Sequence, residues 1–298
     1  MDSNDQLALF KKYLPNIHIQ DVQSIDNGWD NDILVINQSI VFRFPKSDKL
    51  LSKVVDEARL LECLTMKKPI LKIPNYELVY DGHALKGVKY NFLRGKSLNE
   101  YPTDILMGDQ ENAKGLGDFL SKLHSIDLSD LQQTNLATVH TLDYWEKLYA
   151  AVQSEVFPHL DEREQDKMHK VFKRFIHEYP SLTYKKAVIH GDLSASNIIY
   201  NQSKGRVDGI IDFTDAQIGD PAFDFAGFYW SYGPEFTKEV LAWYSGQESS
   251  NALFNRVQTF YGLQTVFHEL LHAVKTGETF NWDAAVQRFL ELEAMASA

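Results

Sequence analysis

Along the 298 residues, apolar and polar positions change rhythm once. Up to about residue 93 the chain reads mostly in short strands. Ile17 to Ile25 alternates and is broken by Asp26-Asn27-Gly28. Ile33 to Ile36 and Ile40 to Phe44 then flank Asn37-Gln38-Ser39. Alternation at period two suits half-buried strands, and Asn, Ser and Gly between them suit turns. Two more strands are expected at Tyr76 to Tyr80 and Gly87 to Leu93. Two helices are expected among them. Asp2 to Leu14 places Leu7, Leu9, Phe10 and Leu14 near one side, with Ser3 or Asn4 as cap and Pro15 as stop. Ser47 to Met66 carries Leu50, Leu51, Val54, Val55, Ala58, Leu61 and Leu64 at helical spacing.

From Gly95 onward the spacing is helical. The pattern predicts helices over Leu106 to His124, Leu142 to Val156, Glu162 to Tyr179, Pro234 to Tyr244, Ser250 to Lys275 and Trp282 to Ala298. The changeover at Asn91 to Gly95 is too short for a flexible linker. An α+β chain of two packed lobes is therefore expected: a strand-rich N-terminal lobe, 1–94, and a larger helical C-terminal lobe, 95–298.

One stretch interrupts the helices. Val188 to Phe225 packs polar and charged residues around the apolar runs Ile198-Ile199-Tyr200 and Gly209-Ile210-Ile211. Asp192 is followed five residues later by Asn197, and Asp212 follows the next apolar run. Two carboxylates and an amide around a hairpin can hold a divalent cation and aim a hydroxyl at a phosphate. Asp192 is the candidate base, and Asn197 and Asp212 are the candidate magnesium ligands, since Mg²⁺ takes oxygen donors. His190 reads as a loop support. Asp220 precedes Pro221 at a helix start and, with Asp224, reads as a loop and cap residue.

A nucleotide in a cleft between the lobes needs a cation from the first lobe. Arg43 lies between Phe42 and Phe44 on a strand, so it points away from both. Glu57, in the middle of the next helix, is its candidate partner. Gly28, in the turn after the first strand, is a candidate for bringing backbone amides to phosphate.

Together these residues resemble the aminoglycoside phosphotransferase family, small-molecule kinases with a protein-kinase-like fold. The resemblance spans nearly the whole chain. It rests on His190-Gly191-Asp192 with Asn197, on Ile211-Asp212-Phe213 and on Gly219-Asp220-Pro221-Ala222-Phe223-Asp224. Glu57, the run Phe92 to Leu98 and the run Phe119 to Asp127 support it. It implies that the hinge backbone of Asn91, Phe92 and Leu93 binds the purine and that Tyr90 narrows the pocket behind it. Relatives with Tyr there lean toward GTP, so ATP and GTP both stay open. The family usually has Lys where this chain has Arg43; arginine forks differently, and Lys46 is the other cation nearby. The strand end around Arg43 and the run through Asp212 look most like the 2″-aminoglycoside enzymes. Those follow with a strongly acidic helix, whereas Phe225 to Glu235 here is aromatic. Macrolide phosphotransferases share the arginine but usually have His at the place of Asn197. Asp215, Glu235, Glu269 and Trp282 are the candidate substrate contacts.

Composition narrows the classes. Hydrophobic residues at 44% fit a folded globular chain. A net charge of −11 disfavours nucleic-acid and anionic-membrane partners and suits a cationic ligand. The single cysteine, Cys63, reads as a buried helix residue. No basic stretch precedes an apolar one at the N-terminus and no apolar run reaches spanning length, so a cytoplasmic monomer is expected. The partners expected are a nucleoside triphosphate and a small-molecule hydroxyl substrate. The acceptor expected first is an aminoglycoside, followed by a macrolide or a metabolite alcohol such as choline or a sugar. Two readings of other classes compete. One is a zinc hydrolase built on His268-Glu269-Leu270-Leu271-His272, which has the HExxH pattern. The other is a nucleotide-binding protein without catalysis.

Overall fold

The computed structural model describes residues 9–25, 31–106, 108–277 and 279–297. Gly28 and most of the first expected helix lie outside them. Five strands form one antiparallel sheet in the order β1-β2-β3-β5-β4. They are β1 (Val22–Ile25), β2 (Asn31–Ile36), β3 (Ile40–Pro45), β4 (Glu77–Asp81) and β5 (Ala84–Asn91). Alternation on β3 works as expected. Phe42 and Phe44 enter a small core with Leu34, Ile36, Val79, Leu9 and Phe10 of the helical turn at 9–13, and Leu14 just after it. Arg43 leaves by the opposite face, and it too is buried.

Helix α1 (Asp48–Met66) starts where the Ser47 side chain caps the Leu50 N–H at 3.3 Å. Its packing crosses the boundary that composition drew at residue 94. Leu60, Leu61, Cys63 and Leu64 belong, with Leu71, to the large core of the helical part. Each leucine so buried contributes roughly 1.5–3 kcal/mol. Lys72 adds a backbone stitch: its N–H donates to Asp208 O at 3.0 Å, and its carbonyl accepts from Ile210 N at 2.9 Å. Buried Cys63 matches its reading, and burial pushes its thiol up.

The helical part holds α2 (Gln110–His124), α3 (Leu142–Ala151), α4 (Glu162–Glu178), α5 (Ala226–Ala242), α6 (Ser250–Arg256), α7 (Thr265–Thr276) and α8 (Trp282–Ser297). Two small antiparallel sheets are built mostly from strands between α4 and α5. Strands β7 (Ala187–Ile189) and β10 (Gln217–Gly219) pair, as do β6 (Lys96–Ser97), β8 (Ile198–Asn201) and β9 (Arg206–Ile210) in the order β6-β8-β9.

The helix expected from Leu106 begins at Gln110, the one expected over Leu142 to Val156 turns π after Ala151, and two further departures reshape the core. The single helix over Ser250 to Lys275 is broken by a π turn, Val257–Tyr261. The wider turn brings consecutive Phe260 and Tyr261 both into the core, where Phe260 stacks on Phe175 with ring centroids 3.6 Å apart. Helix α5 begins eight residues before Pro234 and kinks at Gly233, whose φ of 82° only glycine takes without strain. Its aromatic run is core: Phe228 and Tyr229 are fully buried, and Tyr232 nearly so.

Candidate active site

The loop between β7 and β8 carries Asp192, and a buried carboxylate below it holds its backbone. Asp224 Oδ2 accepts the His190 N–H at 2.8 Å, and Oδ1 accepts the Gly191 N–H at 3.0 Å. His124 Nε2 meets Oδ2 at 3.0 Å, while its Nδ1 meets the Tyr244 hydroxyl at 2.9 Å. Burial opposes the charged form of Asp224, but the His124 and His190 contacts outweigh it and hold the carboxyl below its ordinary value. His190 spans to the loop that carries Asp212, its Nε2 lying 3.1 Å from Ile211 O. Asp220 does something else. It caps the Ala222 N–H at 2.9 Å and pairs with Arg256 at 2.7 Å.

Gly191 is where the loop turns. Its φ is +81°, and an added Cβ would lie 2.1 Å from Asp215 O. Gly191→Ala is expected to cost about 1–3 kcal/mol of stability from the backbone conformation alone. It should also lower turnover at least about tenfold by moving the neighbouring Asp192, since small misplacements near the reacting atoms are costly. Thermal unfolding and steady-state rates check both.

Asp192 Oδ2 accepts from Asn197 Nδ2 at 2.9 Å, and the same nitrogen donates to Asp192 O at 2.8 Å. The amide nitrogen is thereby spent, and Oδ1 is the atom left for a cation. Asp212 adopts φ 62°, a left-handed conformation that a non-glycine residue takes rarely and that its local bonds to Thr214 support. Its Oδ1 accepts from the Thr214 hydroxyl at 2.8 Å and from the Thr214 N–H at 3.3 Å. Surrounding protein pushes the Asp192 carboxyl above its ordinary value, and the charges of Asp215 and Asp212 add to that.

Arg43 and Glu57 form the expected pair, with Nη2 2.5 Å from Oε2 and both side chains 4% exposed. Arg43 Nη1 also donates to Thr214 Oγ1 at 3.2 Å and lies 3.7 Å from Asp212 Oδ1. Tyr76, absent from the sequence reading, donates its hydroxyl to Glu57 at 3.3 Å and stacks under the guanidinium. Lys46 sits outside this group, exposed and near Asp32 at 3.6 Å. Tyr90 packs its ring on Tyr76 at 5.3 Å, behind the hinge. Register explains why the hinge backbone is available. Phe92 N donates to Ser39 O at 2.9 Å, continuing the β5–β3 ladder. Strand groups alternate sides, so Asn91 and Leu93 direct theirs to the other edge, beyond Glu77 where β4 begins.

A cleft of about 490 Å³ opens beside Asp192. Asp215 and Glu269, two of the expected substrate contacts, line it, as do Asp56, Glu57 and Lys53. Glu269 is fixed by a 3.1 Å bond from Trp230 Nε1. The other two expected contacts are not there. Glu235 is exposed on α5 and pairs with Lys238 at 3.3 Å, and Trp282 packs on His159. Glu235 lies past the kink at Gly233 on α5, and Trp282 opens α8 away from the cleft lining.

The far wall includes His140, Tyr144, Phe223 and His268, of which His268 belongs to the HExxH pattern and none is a substrate contact expected from the sequence. His140 stacks on Tyr144 and Phe223 with centroids 5.0 and 4.1 Å apart. Burial pushes His140 and His268 down to about 4, so both rings are neutral near pH 7. The HExxH residues diverge. His268 faces the cleft, Glu269 is held by Trp230, and His272 is exposed. Among the described residues no three of His, Cys, Asp or Glu are grouped to hold a metal ion.

Residues 21–256 match the family described as the phosphotransferase enzyme family. The chain belongs to that family. Among curated relatives it is 29% identical over 136 residues to viomycin phosphotransferase of Streptomyces vinaceus, a match covering 45% of each chain. It is 40% identical over 58 residues to the uncharacterized protein YcbJ of Bacillus subtilis, over 20% of this chain and 19% of that one. The matched stretch thus spans less than half the length of these relatives. Among solved structures it is similar to a point mutant of an aminoglycoside 2'-phosphotransferase of type IIIa in complex with GDP. That likeness has a TM-score of 0.76 and 25% identity, covering 99% of this chain and 97% of the other. It also shares the fold of the macrolide 2'-phosphotransferase MphH from Brachybacterium faecium, with a TM-score of 0.69 and 18% identity over 96% and 98% of the two chains. The family chain is thus a kinase-like fold with an antiparallel-sheet lobe and a larger helical part. Among the described residues no helix is long and apolar enough to cross a membrane.

Proposed function

We propose that the chain moves the γ-phosphoryl group of ATP or GTP to a hydroxyl of a small cationic antibiotic, an aminoglycoside first. One observation carries this reading. Asp192 is bonded to Asn197, feels the charge of Asp212, and lines a cleft with Asp56, Asp215 and Glu269. A cationic acceptor in that cleft presents its hydroxyl to the same carboxylate that takes the proton. The named relatives act, by their names, on viomycin, aminoglycosides and macrolides.

The residues fit a magnesium ion. The donors are oxygens, Asn197 Oδ1 and Asp212 Oδ2, and two protein ligands suffice for a cation that keeps waters and takes phosphate oxygens. When bound, Mg²⁺ supplies charge neutralisation across the phosphates. The chain's own residues do the rest. Arg43, oriented by Glu57 and Tyr76, presents a fixed cation on the phosphate side. Asn91 and Leu93 offer the unpaired hinge edge to the base. Asp192 accepts the acceptor's proton and aligns its oxygen.

A second reading, a macrolide acceptor, is favoured by the neutral ring wall of His140, Tyr144, Phe223 and His268, which suits an apolar flank. The test is a transfer screen with magnesium and ATP or GTP against aminoglycosides, viomycin, macrolides and choline, with acceptor mass as the readout. A phosphorylated aminoglycoside is the expected product. Phosphorylation of a macrolide alone selects the second reading, and nucleotide hydrolysis without a phosphorylated acceptor sinks both.

A further inference from the structure

Resting on the phosphotransferase reading, we infer that Lys53 binds the phosphoryl group during its transfer. Lys53 lies four residues before Glu57 on α1, so the two share a helix face. Both line the cleft with Asp192. The Lys53 ammonium donates to Thr214 O at 3.0 Å and lies 3.8 Å from Asp215 Oδ1. Thr214 is the residue whose hydroxyl holds Asp212. Lys53 therefore sits over the turn between the metal-side carboxylate and the substrate-side carboxylate, in the wall that faces Asp192.

Charge makes the position informative. The described residues lining the cleft include the carboxylates of Asp56, Glu57, Asp192, Asp215 and Glu269, and Lys53 is the one Lys or Arg among them. The group in flight carries its negative charge on three oxygens and needs a cation there. Arg43 is bonded to Glu57 and Thr214 and does not line this cleft. Lys46 is outside the cleft lining. Lys53 is 40% exposed and is held by a carbonyl and a loose ion pair, contacts weak enough to exchange. Its flexible stem and compact ammonium suit a phosphate oxygen. In the step, the bond from phosphorus to the nucleotide's bridging oxygen breaks and the bond to the acceptor oxygen forms. The acceptor's proton goes to Asp192, and Lys53 keeps its own protons throughout.

The test compares Lys53→Met and Lys53→Arg with the unaltered protein. Lys53→Met should slow single-turnover transfer ~50-fold, as loss of a charge-stabilising donor does. It should weaken a non-hydrolysable triphosphate about fivefold and leave the diphosphate within about twofold, because only the triphosphate carries the group it binds. Lys53→Arg should recover most of the rate by keeping the charge, and both variants should melt within about 2 °C of the parent, as changes at partly exposed sites do. Three outcomes overturn the inference: a Lys53→Met rate within about threefold of the parent, equal loss of diphosphate and triphosphate affinity, or a large fall in melting temperature alone. Should the parent transfer phosphate to no acceptor, the phosphotransferase reading fails separately. The triphosphate–diphosphate difference then decides Lys53 by binding alone, and its absence overturns the assignment.

Discussion

Asp192→Asn is expected to slow phosphate transfer by about 10²–10⁴-fold, the usual contribution of a positioned base, with the fold and nucleotide affinity kept. The geometry permits so clean a substitution. Asn197 Nδ2 donates to Asp192 Oδ2, and an amide oxygen can accept that bond in its place. The loop backbone is held from below by Asp224, which does not touch the Asp192 side chain. What disappears is the capacity to take a proton. The pH profile gives a second reading of the same variant. A base works deprotonated, so kcat/KM must fall as pH falls through its pKa. Burial, with Asp215 and Asp212, raises that pKa above the ordinary value of about 3.9. The acid limb should therefore lie at higher pH than a free aspartate would give, and it should be missing from the residual activity of the variant. Steady-state rates across pH, beside diphosphate binding, check it. An unchanged rate would remove Asp192 from the chemistry.

Asp224→Asn should be the most destabilising of the substitutions considered. The side chain is fully buried and accepts two loop N–H groups and His124. An amide meets those donors with an NH₂ on one side, so at least one partner is orphaned. Breaking such a buried cluster costs about 3–5 kcal/mol. For a chain this size that amounts to a fall of roughly 10 °C in melting temperature. Activity should fall as well, because His190 and Gly191 immediately precede Asp192. The sign of the pH effect follows from the lowered pKa. Asp224 contributes its stability in full above the unfolded carboxylate value of about 3.9, and that contribution is lost as pH falls through the lower folded value. The variant and the parent should thus converge in stability under strongly acid conditions. Chemical unfolding at neutral and acid pH measures both terms. A variant that melts with the parent would show that the loop is held by other means.

Much of this was legible in the residues. The strand alternation at Phe42-Arg43-Phe44 fixes which way Arg43 points, and Glu57 follows one helix later, where pairing needs only a sheet and the helix across it. Asp192, Asn197 and Asp212 are close in sequence around a single hairpin, so local geometry already gathers them. Other parts were not. Tyr76 and Thr214 complete the Arg43 group from stretches far apart in sequence, and no periodicity marks either. His140, Tyr144 and His268 come from a loop and two helices that meet only when α3 and α7 pack. Glu235 and Trp282 were expected at the cleft, but Glu235 lies exposed on α5 beyond the kink at Gly233 and Trp282 packs on His159.

By itself, then, the sequence determined the strand-rich and helical halves, the family, and the Asp192, Asn197 and Asp212 group proposed to handle phosphate, because each depends on contacts within a few turns or one hairpin. Only the tertiary structure decided how the halves join and what the cleft presents to an acceptor. Leu60, Leu61, Leu64 and Leu71 carry α1 into the helical core, and that packing swings Lys53 over Thr214. The balance of charge in the cleft is set by residues 53 to 269, and no local rule of spacing reaches across that distance.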